Sequence, residues 1–176
     1  MSLTIMGIDP DTKKLSIVEA VNTKQKKPWV HTIPLPSSKH QDRAGFAFRG
    51  VAELIYQLNE RDGRLPIIYM EAPIMGIGGP GATIPQCYIQ GAVMAAASEF
   101  DVKVIQVNNQ TWKKRICGNG GINKADIPAA MKEVWPELIQ IAHDQQDLID
   151  AGAIYLFGRR HQNLLAALKK KRENFK

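Results

Sequence analysis

The chain begins with three apolar runs: LTIMGID at residues 3–9, KLSIVEAV at 14–21 and PWVHTIPL at 28–35. Each run has the length of a strand, and the links between them are short and polar. Short links favour antiparallel hairpins, because parallel neighbours need a crossover of about a dozen residues. The sequence therefore predicts three consecutive antiparallel strands.

The rest of the chain alternates helical and strand patterns. Apolar residues recur at helical spacing over about 39–61, and PIIYME at 66–71 follows as a strand. A small-residue helix over about 84–99, a strand at 102–107 and a last strong helix over 144–160 come next. Strands that alternate with helices should run parallel. The predicted fold class is α/β, with a mixed five-stranded sheet flanked by helices.

The segment before the last helix is less regular. Residues 108–123 are predicted to be mostly loop, and Asp126 with Pro128 resembles a helix start. No internal repeat or linker divides the chain. We expect one domain over residues 1–161 and a basic C-terminal tail at 162–176.

The composition of the 176 residues is that of a globular protein, 44% hydrophobic and 23% charged. No apolar run approaches the roughly 20 residues that span a bilayer, and the first residues lack the features of a signal peptide. Cys87 and Cys117 have neither metal spacing nor a local base, so structural thiols are expected. These features predict a cytoplasmic protein with no membrane partner.

Charge is sorted along the chain. The net charge is +6, and residues 159–176 supply all of it, with seven basic residues against Glu173. Within the balanced remainder, the segment 113–124 is basic and contains no acid. Its basic residues are Lys113, Lys114, Arg115 and Lys124. Such segments suggest a polyanionic partner.

Acidic residues end three of the predicted elements. Asp9 closes the first strand, and Glu71 closes the fourth. Asp147 and Asp150 lie three residues apart on the last helix and so share a face. Singly, each could serve a turn or a helix dipole. If the first and fourth strands are parallel neighbours, however, their acids meet at the edge where open α/β folds bind ligands.

Four carboxylates in one crevice would repel one another, and divalent cations are the usual remedy. Oxygen ligands suit Mg²⁺ or Mn²⁺ rather than zinc. Two such ions about 4 Å apart can activate water and stabilise the leaving oxygen of a phosphodiester. The pattern therefore predicts metal-dependent phosphodiester hydrolysis.

Four segments carry a family resemblance. GIDPDTKKLSI at 7–17 resembles the GIDPGT opening of RuvC-type Holliday junction resolvases, and IIYMEAP at 67–73 resembles their second acidic strand. DLIDAGAIYL at 147–156 resembles their D-x-x-D-A final helix, and WKKRICGNGGINKADI at 112–127 is similar to their V-K-x-x-x-x-G-x-G-x-x-x-K segment. The resemblance covers roughly 3–156, and a bacterial or bacteriophage branch is expected.

The resemblance implies a ribonuclease H-like fold, a homodimer, and Mg²⁺-dependent paired nicking of four-way DNA junctions. It maps the family's catalytic, metal-binding tetrad onto the four acids and its DNA-contacting lysines onto Lys113 and Lys124. With two ions per site, Asp9 is expected to bridge them, while Glu71 and Asp150 each complete one ion's shell. The first aspartate of the last helix is the fourth member.

Two further residues are possible members of the site. Asp11 stands where the family has glycine, and is either an outer-shell group or a turn residue, with the turn favoured. His143 precedes Asp147 by four residues and could be a ligand, a general base or a helix cap.

Gly76, Gly78 and Gly81 form a G-x-G-x-x-G pattern. A dinucleotide-binding fold has this loop after its first strand and an acid at the end of the next strand, and neither holds here. No nucleotide cofactor is expected. The loop 76–81 is interpreted as backbone that approaches DNA, or as a plain surface loop.

Three functions stay open at this point. The leading one is a structure-selective DNA endonuclease that resolves four-way junctions. The same acids would serve a ribonuclease H-like nuclease acting on an RNA·DNA hybrid or structured RNA. The third is a non-catalytic junction-binding protein in which the acids only cap elements. A sugar-kinase-like ATPase needs two domains, for which the chain is too short.

Overall fold

A mixed five-stranded sheet organises the molecule. The computed structural model describes residues 4–20, 27–37, 39–73, 80–143 and 145–174, the side chain of Ala82 apart. The strands, in chain order, are β1 (Ile5–Pro10), β2 (Lys14–Ala20), β3 (Trp29–Pro34), β4 (Ile67–Glu71) and β5 (Val104–Val107).

The sheet has the order β3-β2-β1-β4-β5. The pairs β1–β2 and β2–β3 are antiparallel, whereas β1–β4 and β4–β5 are parallel. Ile8 pairs with Met70, one residue before the acids Asp9 and Glu71. The predicted sheet, three antiparallel strands followed by parallel ones, is therefore confirmed, and the two strand-ending acids meet at one edge.

Helices cover both faces of this sheet. They are α1 (His40–Asp62), α2 (Pro80–Ser98), α3 (Asn109–Cys117), α4 (Ile127–Val134), α5 (Pro136–Ala142) and α6 (Gln146–Glu173), with a 3₁₀ turn (Lys124–Asp126) before α4. None of the helices within the described residues has a stretch long and apolar enough to cross a membrane.

Strand alternation divides the core into two layers. Met6 and Ile8 lie in the cluster that α1 and α2 cover, whereas Ile5 and Tyr69 lie in the cluster under α6. Asp9 has the same parity as Ile5, so it faces α6. Asp9 and the acids of α6 therefore lie on the same side of the sheet.

Gly7 allows α6 to approach β1 closely. A Cβ atom at this position would overlap the Ala151 carbonyl oxygen and the backbone of Tyr155. Because glycine lacks that atom, the first turns of α6 lie directly against the strand. This close packing carries Asp150 to the end of β1, where Asp9 lies.

The structure corrects the prediction that residues 108–123 are mostly loop, because α3 occupies 109–117. Asn108 caps this helix by accepting a hydrogen bond from the Gln110 backbone N–H at 2.9 Å. Trp112 and Ile116, four residues apart, are its buried face. The cap and this pair are the helix signals in an otherwise polar segment.

The end predicted for the last helix at residue 160 is also wrong, because α6 runs to Glu173. The segment after Gly158 contains neither glycine nor proline and is rich in helix-forming residues, so nothing in it ends a helix. The division into a domain at 1–161 and a tail at 162–176 stays a prediction. Helix α2 begins at Pro80, four residues before the predicted start, so Gly81 of the predicted loop 76–81 lies in its first turn. Residues 76–79 of that loop lie outside the described residues.

Candidate active site

The four acids singled out by the sequence line one open cleft of about 290 Å³. They come from three separate elements, and their convergence depends on the parallel pairing of β1 with β4 and on the close approach of α6. Asp9 ends β1, Glu71 ends β4, and Asp147 with Asp150 occupies the first turns of α6.

Asp9 lies in surroundings that strongly disfavour a charged carboxylate. Burial raises its pKa well above the usual range, and the charges of Glu71, Asp150 and Asp147 raise it further. Lys124 acts in the opposite direction and is outweighed. The cleft therefore has a strongly negative potential at its floor.

Two hydrogen bonds hold neighbouring carboxylates in place. The Trp112 indole N–H donates to Glu71 Oε1 at 3.4 Å, and the Gln146 amide donates to Asp150 Oδ1 at 2.8 Å. Burial raises the pKa of Glu71 and that of Asp150, and these hydrogen bonds partly oppose the effect. Trp112 is itself fully buried, so it anchors Glu71 from inside and does not stack on a ligand.

Two lysines supply positive charge at the rim. Lys124 Nζ lies 3.4 Å from Asp147 Oδ1 and 3.9 Å from Asp150 Oδ2, and Lys14 Nζ lies 3.2 Å from Asp147 Oδ2. Burial lowers the pKa of Lys124, but the charges of Asp150, Asp147 and Asp9 outweigh this and leave that pKa raised. The Lys124 side chain is 63% exposed, so it can leave the carboxylates for another anion.

The basic segment predicted to hold DNA is divided between two surfaces. Lys113 and Lys124 line the acidic cleft. Lys114 and Arg115 instead line a separate open groove of about 600 Å³ beside Phe157 of α6. Adjacent helix residues point in directions about 100° apart, which explains the separation along α3.

The two possible members of the site are placed differently. Asp11 lines the cleft, and its side chain also accepts a hydrogen bond from the Thr12 backbone N–H, as a turn residue does. His143 is exposed, has a left-handed backbone conformation (φ 44°) and ends α5. It is not among the described residues that line the cleft.

Sequence reasoning missed several polar residues of the cleft. Gln90 lines it from α2, where it is buried and accepts a hydrogen bond from the Gln106 amide at 2.9 Å. Lys14 of β2 pairs with one of its acids, Asp147. Both depend on tertiary placement. Asn109 is a third; its Oδ1 is buried with no hydrogen-bond partner among the described residues. The position of Asn109 at the start of a helix, directly after strand β5, is the sequence feature that could have predicted its place in the cleft.

The donor set fits a hard divalent cation. The cleft combines five carboxylates, the four predicted ones and Asp11, with the unpartnered amide oxygen of Asn109. It contains neither sulfur nor imidazole among its described residues. No three His, Cys, Asp or Glu side chains within the described ranges are gathered tightly enough to hold one ion. Asp147 instead pairs with Lys14 and Lys124.

Comparison with known proteins identifies the fold. No family sequence model and no curated protein sequence matches the chain. The structure of RuvC from Thermus thermophilus matches with a TM-score of 0.67 and 21% identity, over 88% of this chain and 92% of that one. RuvC of T. thermophilus in complex with a Holliday junction substrate matches with a TM-score of 0.67 and 17% identity, over 91% and 96%.

A third solved structure, the yeast mitochondrial Holliday junction resolvase Ydc2, matches with a TM-score of 0.66 and 15% identity, over 99% of this chain and 85% of that one. The chain therefore has the fold of the RuvC-type resolvases, as the resemblance of its motifs predicts. Whether it comes from the bacterial or the bacteriophage branch stays a prediction.

Proposed function

We propose that this chain, built on the RuvC-type fold, is a structure-selective DNA endonuclease. It resolves four-way (Holliday) junctions by divalent-metal-dependent phosphodiester hydrolysis that gives paired nicks. The observation that carries the proposal is the convergence of four carboxylates, from β1, β4 and α6, on one cleft whose rim is basic. That combination suits a site that gathers cations around a phosphate.

Mg²⁺ or Mn²⁺, two ions per site, is the proposed cofactor. Asp9 would be the central ligand and Glu71 and Asp150 further ligands, and Asp147 would join them once it is free of Lys14 and Lys124. When bound, such ions activate water and neutralise the charge that develops on the leaving oxygen.

The chain's own residues bind and orient the substrate. Lys113 and Lys124 stand at the cleft, where their ammonium groups can hold the phosphate backbone next to carboxylates that would otherwise repel it. Trp112 and Gln146 hold the rotamers of Glu71 and Asp150. These two carboxylates therefore lose less conformational entropy when the substrate binds.

Paired nicks require two sites, and we propose a homodimer that supplies them. Helix α2 supports this, because it presents exposed apolar side chains on one face: Ile84 is 51% exposed, Tyr88 45% and Met94 46%. Gly91 lies on the same helix with open space around its Cα, which allows close approach of a second backbone. A two-fold contact through this face would be self-complementary.

The test is a cleavage assay on a synthetic four-way junction with each strand labelled in turn. With Mg²⁺ or Mn²⁺ the protein should cut two symmetry-related strands, and chelation should stop the cutting. Asp9→Asn should abolish cutting but retain binding. Asp101→Asn is the matched control, because Asp101 is exposed, remote from the cleft and has a positive φ that asparagine tolerates.

Other outcomes assign the other functions. Preferential cleavage of an RNA·DNA hybrid would show that the same metal site acts on a hybrid duplex and not on a junction. Tight junction binding with no metal-dependent cleavage of any branched DNA, and no effect of Asp9→Asn, would show a binding protein and overturn the proposal.

A further inference from the structure

The second half of α6 leaves the body of the protein as an exposed cationic helix. Every described residue from 163 to 174 is exposed, although α6 is continuous through Glu173. Four consecutive cations, Lys169, Lys170, Lys171 and Arg172, stand near its end. We call these four residues the cationic end of α6.

The direction of this helix is set by contacts just before it leaves the body. The Gln162 amide donates to the Tyr69 hydroxyl at 2.7 Å, and His161 Nδ1 lies 2.8 Å from the same oxygen. Gly158 packs on the Tyr69 ring so closely that a Cβ there would overlap it. The exposed turns therefore project from a fixed base.

Basic residues continue from the cleft toward this helix. Lys113 stands in the cleft, and Lys114 with Arg115 lines the neighbouring groove between α3 and α6. Arg160 of α6 donates from Nη1 to the Arg115 carbonyl oxygen at 2.8 Å, which fixes its guanidinium beside that groove. Cations thus line the cleft and the groove as far as Arg160, and they resume at Lys169 after eight residues without a basic side chain apart from His161.

Helix geometry sets the reach of this series. About 20 residues separate Asp150 in the cleft from Lys170, and at about 1.5 Å per residue the cationic end lies about 30 Å along the axis from the site. B-form DNA rises about 3.4 Å per base pair, so this distance corresponds to about nine base pairs of a duplex arm that runs along α6.

We propose that the cationic end of α6 binds the phosphate backbone of a duplex arm, about nine base pairs from the phosphate that the cleft would cut. The distance in base pairs rests on the proposed function, because that function places the scissile phosphate at the four acids. The proposal that the helix binds a duplex backbone is independent of that function.

The distribution of the charges favours DNA over a lipid surface or a second helix. Consecutive helical residues are rotated by about 100°, so four cations in a row surround the axis and are not confined to one face opposite an apolar stripe. Leu164, Leu165 and Leu168 are each about half exposed. A parallel pairing of two copies through them would bring the cationic ends together, and an antiparallel pairing would bring each cationic end near Arg159 and Arg160 of the other copy. A polyanion removes that repulsion.

The first measurement is the salt dependence of junction binding in the Asp9→Asn background. The test variant changes Lys169, Lys170, Lys171 and Arg172 to glutamine. The control variant changes the same number of exposed cations elsewhere, Lys39, Arg49, Lys103 and Lys132, to glutamine. A third variant changes the three lysines to arginine. Circular dichroism checks that all of them fold.

Each lost phosphate contact should lower the slope of log K against log salt by about 0.9, so the test variant should lose about 2 to 4 units of slope. The control and the arginine variants should keep the wild-type slope to within about 0.5. Equal losses in the test and control variants would show a plain net-charge effect and would overturn the proposal.

The second measurement is a hydroxyl-radical footprint on a junction with 25-base-pair arms. Backbone protection should extend to about nine base pairs from the crossover, and the test variant should lose only the distal part. On hairpin-capped arms of six base pairs, the affinities of the Asp9→Asn parent and the test variant should agree within about twofold.

These outcomes separate the two proposals. If the Asp9-intact protein cuts junctions but the test variant keeps its slope and its footprint, the cationic end does not bind DNA and the proposed nuclease stands. If the slope falls as expected but no branched DNA is cut, the proposed function fails and the helix remains a duplex-binding element. Charge-dependent binding to phosphatidylserine vesicles with an unchanged DNA slope would overturn the proposal in favour of a membrane surface.

Discussion

Two buried carboxylates on neighbouring strands, Asp9 of β1 and Glu19 of β2, have opposite surroundings. Glu19 accepts hydrogen bonds from Arg61 Nη1 and Nη2 at 3.3 and 3.1 Å, and its Oε1 lies 3.0 Å from His31 Nε2. Arg61 also lies over the Trp29 ring, 3.4 Å from its centroid. This acid is compensated from both sides and joins β2 and β3 to the end of α1.

Asp9 is nearly as buried, but its neighbours are acids. Glu71, Asp150 and Asp147 all raise its pKa, and Lys124 only partly opposes them. The fold thus places Glu19 beside Arg61 and His31, whereas the positive charge near Asp9 is too small to balance the acids around it. Retained destabilising charge of this kind is typical of functional sites, where stability is given up for activity.

The largest expected effect of removing one of these two charges is on catalysis. Asp9→Asn should lower the rate of junction cleavage by at least about a thousandfold, or about 4 kcal/mol of barrier, because the variant lacks a carboxylate proposed to hold the metal ions. Glu19→Gln should leave the rate per folded molecule within about threefold. Single-turnover cleavage at 25 °C measures both, and similar losses in the two variants would erase the distinction.

Stability should change in the opposite order. Glu19→Gln should lower the free energy of unfolding by about 2 kcal/mol, because Arg61 loses a charged partner at a buried site. The side chain of Arg61 is 28% exposed, and the solvent it meets keeps the cost at that level. The melting temperature should fall by roughly 4 to 8 °C. Thermal denaturation without divalent ions measures it, and no fall would show that Glu19 is not a structural anchor.

The same measurement should show Asp9→Asn to be more stable than the wild type at neutral pH. An aspartate whose folded pKa is raised holds its proton in the folded state after the unfolded state has lost it, so wild-type stability falls as the pH rises above about 4. The asparagine variant lacks this loss. The difference in melting temperature should therefore be small at pH 4 and grow toward pH 7; a difference that shrank over this range would contradict the charge repulsion.

The smallest expected effects concern the lysines that oppose the acids. Lys124→Gln should weaken junction binding several-fold and lower the salt slope by about 1, the loss of one phosphate contact. Lys14→Gln should change affinity by less than about threefold, because its ammonium is paired with Asp147 and Lys14 does not line the cleft. If Lys14→Gln had the larger effect, the substrate would enter from the β2 side.

The sequence alone predicted this contrast only in part. Asp9 and Glu71 could be assigned because each ends an apolar strand, and the order of elements made those strands parallel neighbours. Gln90 at the cleft and Lys14 beside Asp147 could not, because tertiary placement that no local pattern encodes brings each of them there. The partnership of Glu19 with Arg61 joins residues far apart in the chain and was missed for the same reason.

The extent of two helices, α3 and α6, was also not predictable from the sequence. Helix α3 was hidden because only Trp112 and Ile116 form its apolar face, and the polar residues around them matched a loop. The predicted end of α6 is too early because the basic run after Leu168 was interpreted as a tail, although the helix continues through it. Apolar periodicity reports burial, and an exposed helix has little of it.

The carboxylates of the cleft are proposed to gather divalent ions. Electron paramagnetic resonance titration of Mn²⁺, with a four-way junction made uncleavable at the crossover, counts the bound ions directly. We expect two bound ions per protomer for the wild type and for Asp101→Asn, and loss of both high-affinity ions for Asp9→Asn. Equal numbers of bound ions in the wild type and Asp9→Asn would contradict this proposal.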